Sequence, residues 1–222
     1  MKFVRTETKY APTSLDEVVF NNKDTEYFLK GMTTGKYSCE NLILYGSNGN
    51  GKTTIANLMA TALTGGSGLL INDTIDQFLG RPDLKNFLNN TAHLYGDDQH
   101  KRCVVVFHEL DKYTKSLCRL WSVMDETKDC LLVIVTTNDL MKLEKSFRHR
   151  FDCYKFAQIT PMEFAPRAQD ILQHEGVEMS LADVAKYLEE HTTFNRDVRD
   201  YLRVLDKIIA MNNDGIFQTE NE

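Results

Sequence analysis

The stretch NLILYGSNGNGKTT, residues 41–54, places three glycines, two asparagines and one lysine directly behind an apolar run. Gly46, Gly51, Lys52 and Thr53 fit the spacing GxxxxGK[ST], between an expected strand and an expected helix. A triphosphate needs several main-chain N–H donors converging on its oxygens. Glycines permit the unusual φ values and the close approach, and the helix that follows points its positive end at the phosphates. The stretch Gly46, Asn48, Gly49, Asn50, Gly51 is therefore expected to form a phosphate cradle for ATP. Lys52 is expected to neutralise the β and γ phosphates, Thr53 to hold Mg2+ through its hydroxyl, and Thr54 to complete the binding segment.

Outward from this loop, four apolar runs stand out: 41–46 (NLILYG), 68–73 (GLLIND), 104–109 (VVVFHE) and 131–138 (LLVIVTTN), with a weaker fifth at 154–159 (YKFAQI). None alternates with period two, which is the pattern of strands covered on both faces. Segments of helical period lie between them, among them TTIANLMATAL and TKSLCRLWSVMDET. Strand alternating with helix predicts an α/β fold with right-handed crossovers and a mostly parallel sheet of five strands. After Pro161 the pattern is helical only, with Ser180 expected to cap a helix ahead of Asp183. The expected organisation is an α/β nucleotide-binding domain over 1–160, a small all-α lid over 161–212, and a polar tail over 213–222 that frays.

Composition narrows the class. A chain of 222 residues with 42% hydrophobic content can bury a substantial core. No stretch reaches the length of a membrane span, and the segment MKFVRTETKY lacks the apolar region of a signal peptide, so the expected compartment is the cytoplasm and no membrane partner is expected. Cys39, Cys103, Cys118, Cys130 and Cys153 are odd in number and never spaced as CxxC, which predicts reduced, mostly buried thiols rather than disulfides or zinc. The net charge of −6 argues against a chain-wide electrostatic grip on nucleic acid. Lys101, Arg102, Lys112, Lys115 and Arg119 are read as solvated surface charge, with DNA contact there a minor alternative.

Hydrolysis asks for more than a cradle: a carboxylate to polarise water and another to help hold the metal. VVVFHELDK supplies Glu109 and Asp111 at a strand end, and Glu109 is the expected base. His108 stands where a metal-facing aspartate is expected, and a neutral imidazole is a poor Mg2+ partner. Two alternatives follow. Either His108 accepts a hydrogen bond from a metal-bound water, with Asp111 or Thr53 taking more of the load, or hydrolysis is slow. Asn138, ending the run LLVIVTTN, is placed to present its amide near the γ phosphate.

Together these segments resemble the AAA+ ATPases, and within them the replication factor C-like clamp loader subunits, over nearly the whole chain to about residue 209. That resemblance implies a P-loop NTPase three-layer αβα sandwich followed by a helical lid. KYAPTSLDEVV at 9–19 is similar to the clamp loaders' KYRP-type start, which implies Tyr10, Pro12 and Val18 over the adenine, although Ala11 replaces the usual arginine. LLIND resembles the second strand with its asparagine, VVVFHELDK the Walker B segment, and VTTN the sensor 1 strand, with Asn138 as sensor. KSFRHRFDCYKF is similar to the segment where clamp loaders carry Ser-Arg-Cys. It implies Arg150 as an arginine finger acting on a neighbouring subunit, with Arg148 the competing candidate. NRDVRDYLRVL resembles the lid segment that implies Arg199 as sensor 2.

A finger has physical meaning only between subunits, so self-association or assembly with related AAA+ subunits is implied. A DNA-bound protein such as a sliding clamp is the implied client. These 222 residues are expected to hold the nucleotide-binding domain and the lid, and not the collar domain of clamp loaders. Two other functions compete: a nucleotide-dependent scaffold with weak hydrolysis, marked by His108, and a small-molecule kinase, disfavoured by the mixed, acidic lid sequence LADVAKYLEEH.

Overall fold

The computed structural model describes residues 4–66, 69–71, 73–95, 102–110, 115–192 and 197–216, with the side chains of residues 115 and 116 outside that description. In chain order its elements are α1 (Thr6–Lys9), α2 (Lys23–Thr33), β1 (Leu42–Tyr45), α3 (Lys52–Leu63), β2 (Leu70–Ile71), α4 (Ile75–Leu79), α5 (Leu84–Tyr95), β3 (Cys103–Phe107), α6 (Lys115–Glu126), β4 (Leu131–Thr137), α7 (Lys145–Arg148), β5 (Asp152–Lys155), α8 (Pro161–His174), α9 (Leu181–His191) and α10 (Val198–Asn213). They divide into two compact units. One holds the described residues of 22–47 and 52–156, the other those of 1–21, 48–51 and 157–222.

The first unit is a parallel sheet of strand order β2-β3-β4-β1-β5 with helices on both faces. Ile43, Val105, Phe107, Val133 and Val135 point to one side and share a core with Phe78, Leu88, Leu117 and Leu120. Their alternate neighbours Leu42, Leu44, Val104, Val106, Leu132 and Ile134 are buried as well, and α3 packs against β1, β3 and β4. Burial on both sides is why these strands read as unbroken apolar runs.

Two strands differ from the sequence expectation. The second, expected in the run 68–73, is described over Leu70–Ile71, and Gly68 and Asn72 lie outside the described residues. The fifth runs over Asp152–Lys155 rather than 154–159. It is an edge strand whose Asp152, Cys153 and Lys155 are exposed, so its pairing with Leu42–Tyr45 leaves little apolar signature.

Asn41 joins three strands. Its Oδ1 accepts the Val133 N–H at 2.8 Å, and its main-chain oxygen accepts the Asp152 N–H at 2.8 Å. This side chain fixes β4 in register beside β1, and so sets the level at which β4 delivers Asn138.

The second unit has its own core. Phe164, Ala168, Leu172, Val184, Leu188, Tyr201 and Leu205 are buried together, and the Tyr201 hydroxyl donates to the Ile159 carbonyl at 2.7 Å. Thr160 and Glu163 form a capping box at the start of α8, with Pro161 as its first residue. Ser180 caps α9 by accepting the Asp183 N–H. The N-terminal segment belongs to this unit: the Thr6 N–H donates to Asp206 Oδ1 at 2.8 Å, and the Thr6 hydroxyl to the Leu202 carbonyl at 3.0 Å.

Cys39, Cys103 and Cys130 are buried, Cys118 and Cys153 exposed, and all five are free thiols. Burial pushes Cys39 up to about 12 and Cys103 up to about 11, which holds both thiols protonated. No helix among the described residues is long and apolar enough to cross a membrane.

Asn41→Ala leaves the buried Val133 N–H without its acceptor, and is expected to lower the unfolding free energy by about 1–3 kcal/mol. Chemical denaturation checks this, and a change below about 0.5 kcal/mol would contradict the role assigned to that side chain.

Candidate nucleotide-binding site

β1, β3 and β4 run parallel, so their carboxyl ends share one edge of the sheet. Gly46 continues β1, His108 and Glu109 follow β3, and Asn138 follows β4. Open parallel sheets bind ligands at this edge.

Gly46 has φ +142°, and a Cβ there would overlap the Phe156 carbonyl oxygen, so only glycine lets the chain leave β1 at this point. Gly49 and Gly51 are also left-handed, at φ +80° and +78°. Within the helical unit, a Cβ at Gly49 would overlap the Asp197 carboxylate. Asn50 is buried, Asn48 exposed.

Lys52, only 8% exposed, turns its ammonium into the loop. Nζ donates to the carbonyls of Gly46 at 2.8 Å and Ser47 at 2.7 Å, and to Asn138 Oδ1 at 3.1 Å. An ammonium has three donors, and each of these oxygens accepts from it. The structure thus joins two residues 86 positions apart, Lys52 and Asn138, through a direct hydrogen bond. Thr53 and Thr54 stand in the first turn of α3, Thr53 exposed and Thr54 half-buried.

Glu109 and His108 are exposed beyond the end of β3. Glu109 has a left-handed backbone, φ +55°, and its N–H donates to Thr136 Oγ1 at 3.1 Å. Neighbouring protein withdraws the His108 ring from water enough to lower its pKa, against the opposing pull of the Glu109 charge. The ring is therefore neutral at pH 7. Asp111 lies outside the described residues.

Arg150 is engaged within its own chain. Nε and Nη2 donate to the two carboxylate oxygens of Asp125 at 3.0 and 2.8 Å, Nη1 donates to the Ser146 carbonyl at 2.8 Å, and the guanidinium lies 5.6 Å from the Trp121 ring centroid. This hydrogen bonding holds the Asp125 carboxyl below its ordinary pKa. Arg148 Nη1 contacts Met141 Sδ at 3.3 Å, and its Nε makes no hydrogen bond among the described residues.

In the helical unit, the Tyr10 hydroxyl donates to Glu175 Oε1 at 2.7 Å, and Lys9 Nζ meets the same oxygen at 2.6 Å. Pro12 and Val18 are half-buried in the same N-terminal segment. Arg199 is 60% exposed, with Nε 3.8 Å from Glu7 Oε1. Asn41, Asp125, Thr136 and Glu175 emerge only from the structure. For Thr136 the sequence carries a hint, the change from Leu, Val and Ile to two threonines at the end of the run LLVIVTTN.

Residues 42–158 match the profile of the ATPase family associated with various cellular activities, AAA, and this covers more than half of the chain. The chain belongs to the AAA ATPases. Among curated relatives it is similar to the replication factor C large subunits of Haloarcula marismortui, 26% identical over 196 residues, and Natronomonas pharaonis, 28% identical over 191 residues. These alignments cover 83% and 82% of this chain but 37% of each relative, so this AAA chain spans little more than a third of their length. Among solved structures it is similar to Thermotoga maritima RuvB, titled a Holliday junction branch migration motor, with TM-score 0.68 at 18% identity, covering 96% of this chain and 69% of that one. That likeness extends to the fold.

The lowered pKa of His108 has a measurable sign. As pH falls, the unfolded chain takes up this proton before the folded one. The stability contribution is complete above the ordinary value of 6.5 and is lost as pH falls through the folded midpoint. An NMR titration of the imidazole is expected to give a midpoint below 6.5, and His108→Gln to flatten the acid-side loss of stability. A midpoint at or above 6.5 would contradict the assignment.

Proposed function

We propose that this AAA chain binds ATP with Mg2+ at the loop after β1, hydrolyses it, and uses the cycle to assemble with related subunits around a DNA-bound protein, in the manner of a clamp loader. The observation that carries this reading is the Lys52 ammonium, buried in the loop and shared with Asn138. A charge so placed meets an anion by exchanging loop oxygens for phosphate oxygens. Loop N–H groups and the start of α3 add positive potential.

Mg2+ prefers oxygen ligands and retains several waters. Among the described residues no group of three or more His, Cys, Asp or Glu side chains is gathered to hold a metal. The Thr53 hydroxyl, together with the phosphates, is the proposed holder of the ion. Mg2+ would supply charge neutralisation at the β and γ phosphates. Glu109 serves as the water-orienting base and Asn138 as the γ-phosphate sensor. Tyr10, Pro12 and Val18 serve the base of the nucleotide, and Arg199 its phosphates.

Arg150 is the proposed finger for a neighbouring subunit. The Asp125 and Ser146 contacts use three of its five N–H donors, which leaves two for a phosphate. By the clamp-loader resemblance the reading extends to a client such as a sliding clamp, with direct DNA contact as an accessory and a cytoplasmic setting. A scaffold with weak hydrolysis is the second reading, favoured by one observation: His108, neutral at pH 7, offers no oxygen where a carboxylate would assist the metal.

Measuring mass and ATPase rate together, with and without DNA, tests the proposal. ATP is expected to raise both oligomeric mass and turnover, and an ATP titration that changed neither would sink it. Arg150→Ala is expected to reduce turnover on the order of a thousandfold while ATP binding persists. Loss of binding instead would reassign this arginine to its own subunit's site. A gain above about tenfold, about 1.4 kcal/mol in the barrier, in His108→Asp would favour the scaffold.

A further inference from the structure

We propose that Thr136 is the positioning residue of Glu109, holding it in a backbone conformation that the glutamate by itself disfavours. The inference rests on the proposed role of Glu109 as base. The β3–β4 ladder keeps parallel register up to Phe107 opposite Val135 and then stops. Two residues on, Glu109 adopts φ +55°, a region that a residue with a Cβ rarely occupies. Among the described residues Asp83 is the other non-glycine found there.

One residue of the neighbouring strand receives the amides of both Glu109 and Leu110. The Glu109 N–H donates to Thr136 Oγ1 at 3.1 Å, and the Leu110 N–H donates to the Thr136 carbonyl at 2.8 Å. Thr136 has little freedom to yield. It is 1% exposed and lies opposite Leu44 of β1 in the next ladder, so its strand is held on both sides. Leu110 is buried in the sheet core. The backbone of Glu109 is thereby fixed before, after and at its own amide, while its carboxylate stays exposed.

β4 ends on two buried threonines, and this bond gives the Thr136 hydroxyl an acceptor role that a valine of the same size could not fill. A base acts only within hydrogen-bond reach of the water it orients, and a small displacement reduces turnover more than ground-state binding.

Steady-state ATPase assays of the full chain test this with Thr136→Val, Thr136→Ser, Glu109→Gln and the Val–Gln double variant. Thr136→Val is expected to lower kcat at least about tenfold with the KM for ATP within about twofold, whereas Thr136→Ser, which keeps the acceptor, stays within about threefold of the native chain. In the Glu109→Gln background Thr136→Val should add no further loss.

If Glu109→Gln impairs turnover but Thr136→Val does not, the positioning role fails alone. It fails equally if the Val effect persists undiminished in the Gln background or appears mainly in KM. If Glu109→Gln leaves turnover intact, the base assignment itself fails. Hydrogen exchange gives a readout independent of activity and of whether the Val variant folds. The Glu109 amide should be protected in the native chain and in Thr136→Ser, and unprotected exchange in the native chain would overturn the inference.

Discussion

The Lys52 ammonium is buried, and a buried charge without partners is strongly unfavourable. Its partners include two loop carbonyls and one side-chain amide. Much of the sheet unit can be understood as the means of holding those three oxygens in place. Glycine at position 46 lets the chain turn sharply enough for its carbonyl to face the lysine. Asn41 fixes β4 against β1, which brings Asn138 level with the loop. A phosphate group satisfies the same ammonium with negative charge rather than dipoles, and this difference is what a nucleotide can use to bind.

The chemical edge of the sheet divides its labour between neighbouring strands. The β1 loop gathers oxygens around the Lys52 ammonium, whereas the end of β3 presents an exposed carboxylate. Glu109 stands in a left-handed conformation supported from β4, beside a histidine kept neutral by partial removal from water. β4 therefore serves both neighbours, through Asn138 toward Lys52 and through Thr136 toward Glu109. On the proposed reading, binding and hydrolysis are separable in such a layout, because different residues of one strand support each.

Some of this is visible in the amino-acid sequence, and the rest is hidden there for physical reasons. The glycine loop and the central strands are legible because local steric need and two-sided burial leave a direct trace in residue type. The parallel five-stranded sheet with flanking helices follows from that alternation. The edge strand at Asp152–Lys155 lies earlier in the chain than its residues suggest, because exposure on one side weakens its apolar signal. Asn41, Asp125 and Glu175 act on partners 92, 25 and 165 positions away, and no local pattern announces such contacts. The N-terminal segment's place in the helical unit, through Thr6 and Asp206, is hidden for the same reason. Thr136 belongs to the legible run VTTN, but its hydroxyl acquires meaning only once the β3 chain is seen to leave the ladder beside it.

A crystal structure of the chain with a non-hydrolysable ATP analogue and Mg2+ is the most direct measurement. The Lys52 ammonium should move from the Gly46 and Ser47 carbonyls onto the β and γ phosphates, with the loop amides facing the same oxygens. At saturating analogue, a lysine still bonded to those carbonyls and no phosphate at the loop would contradict the central claim.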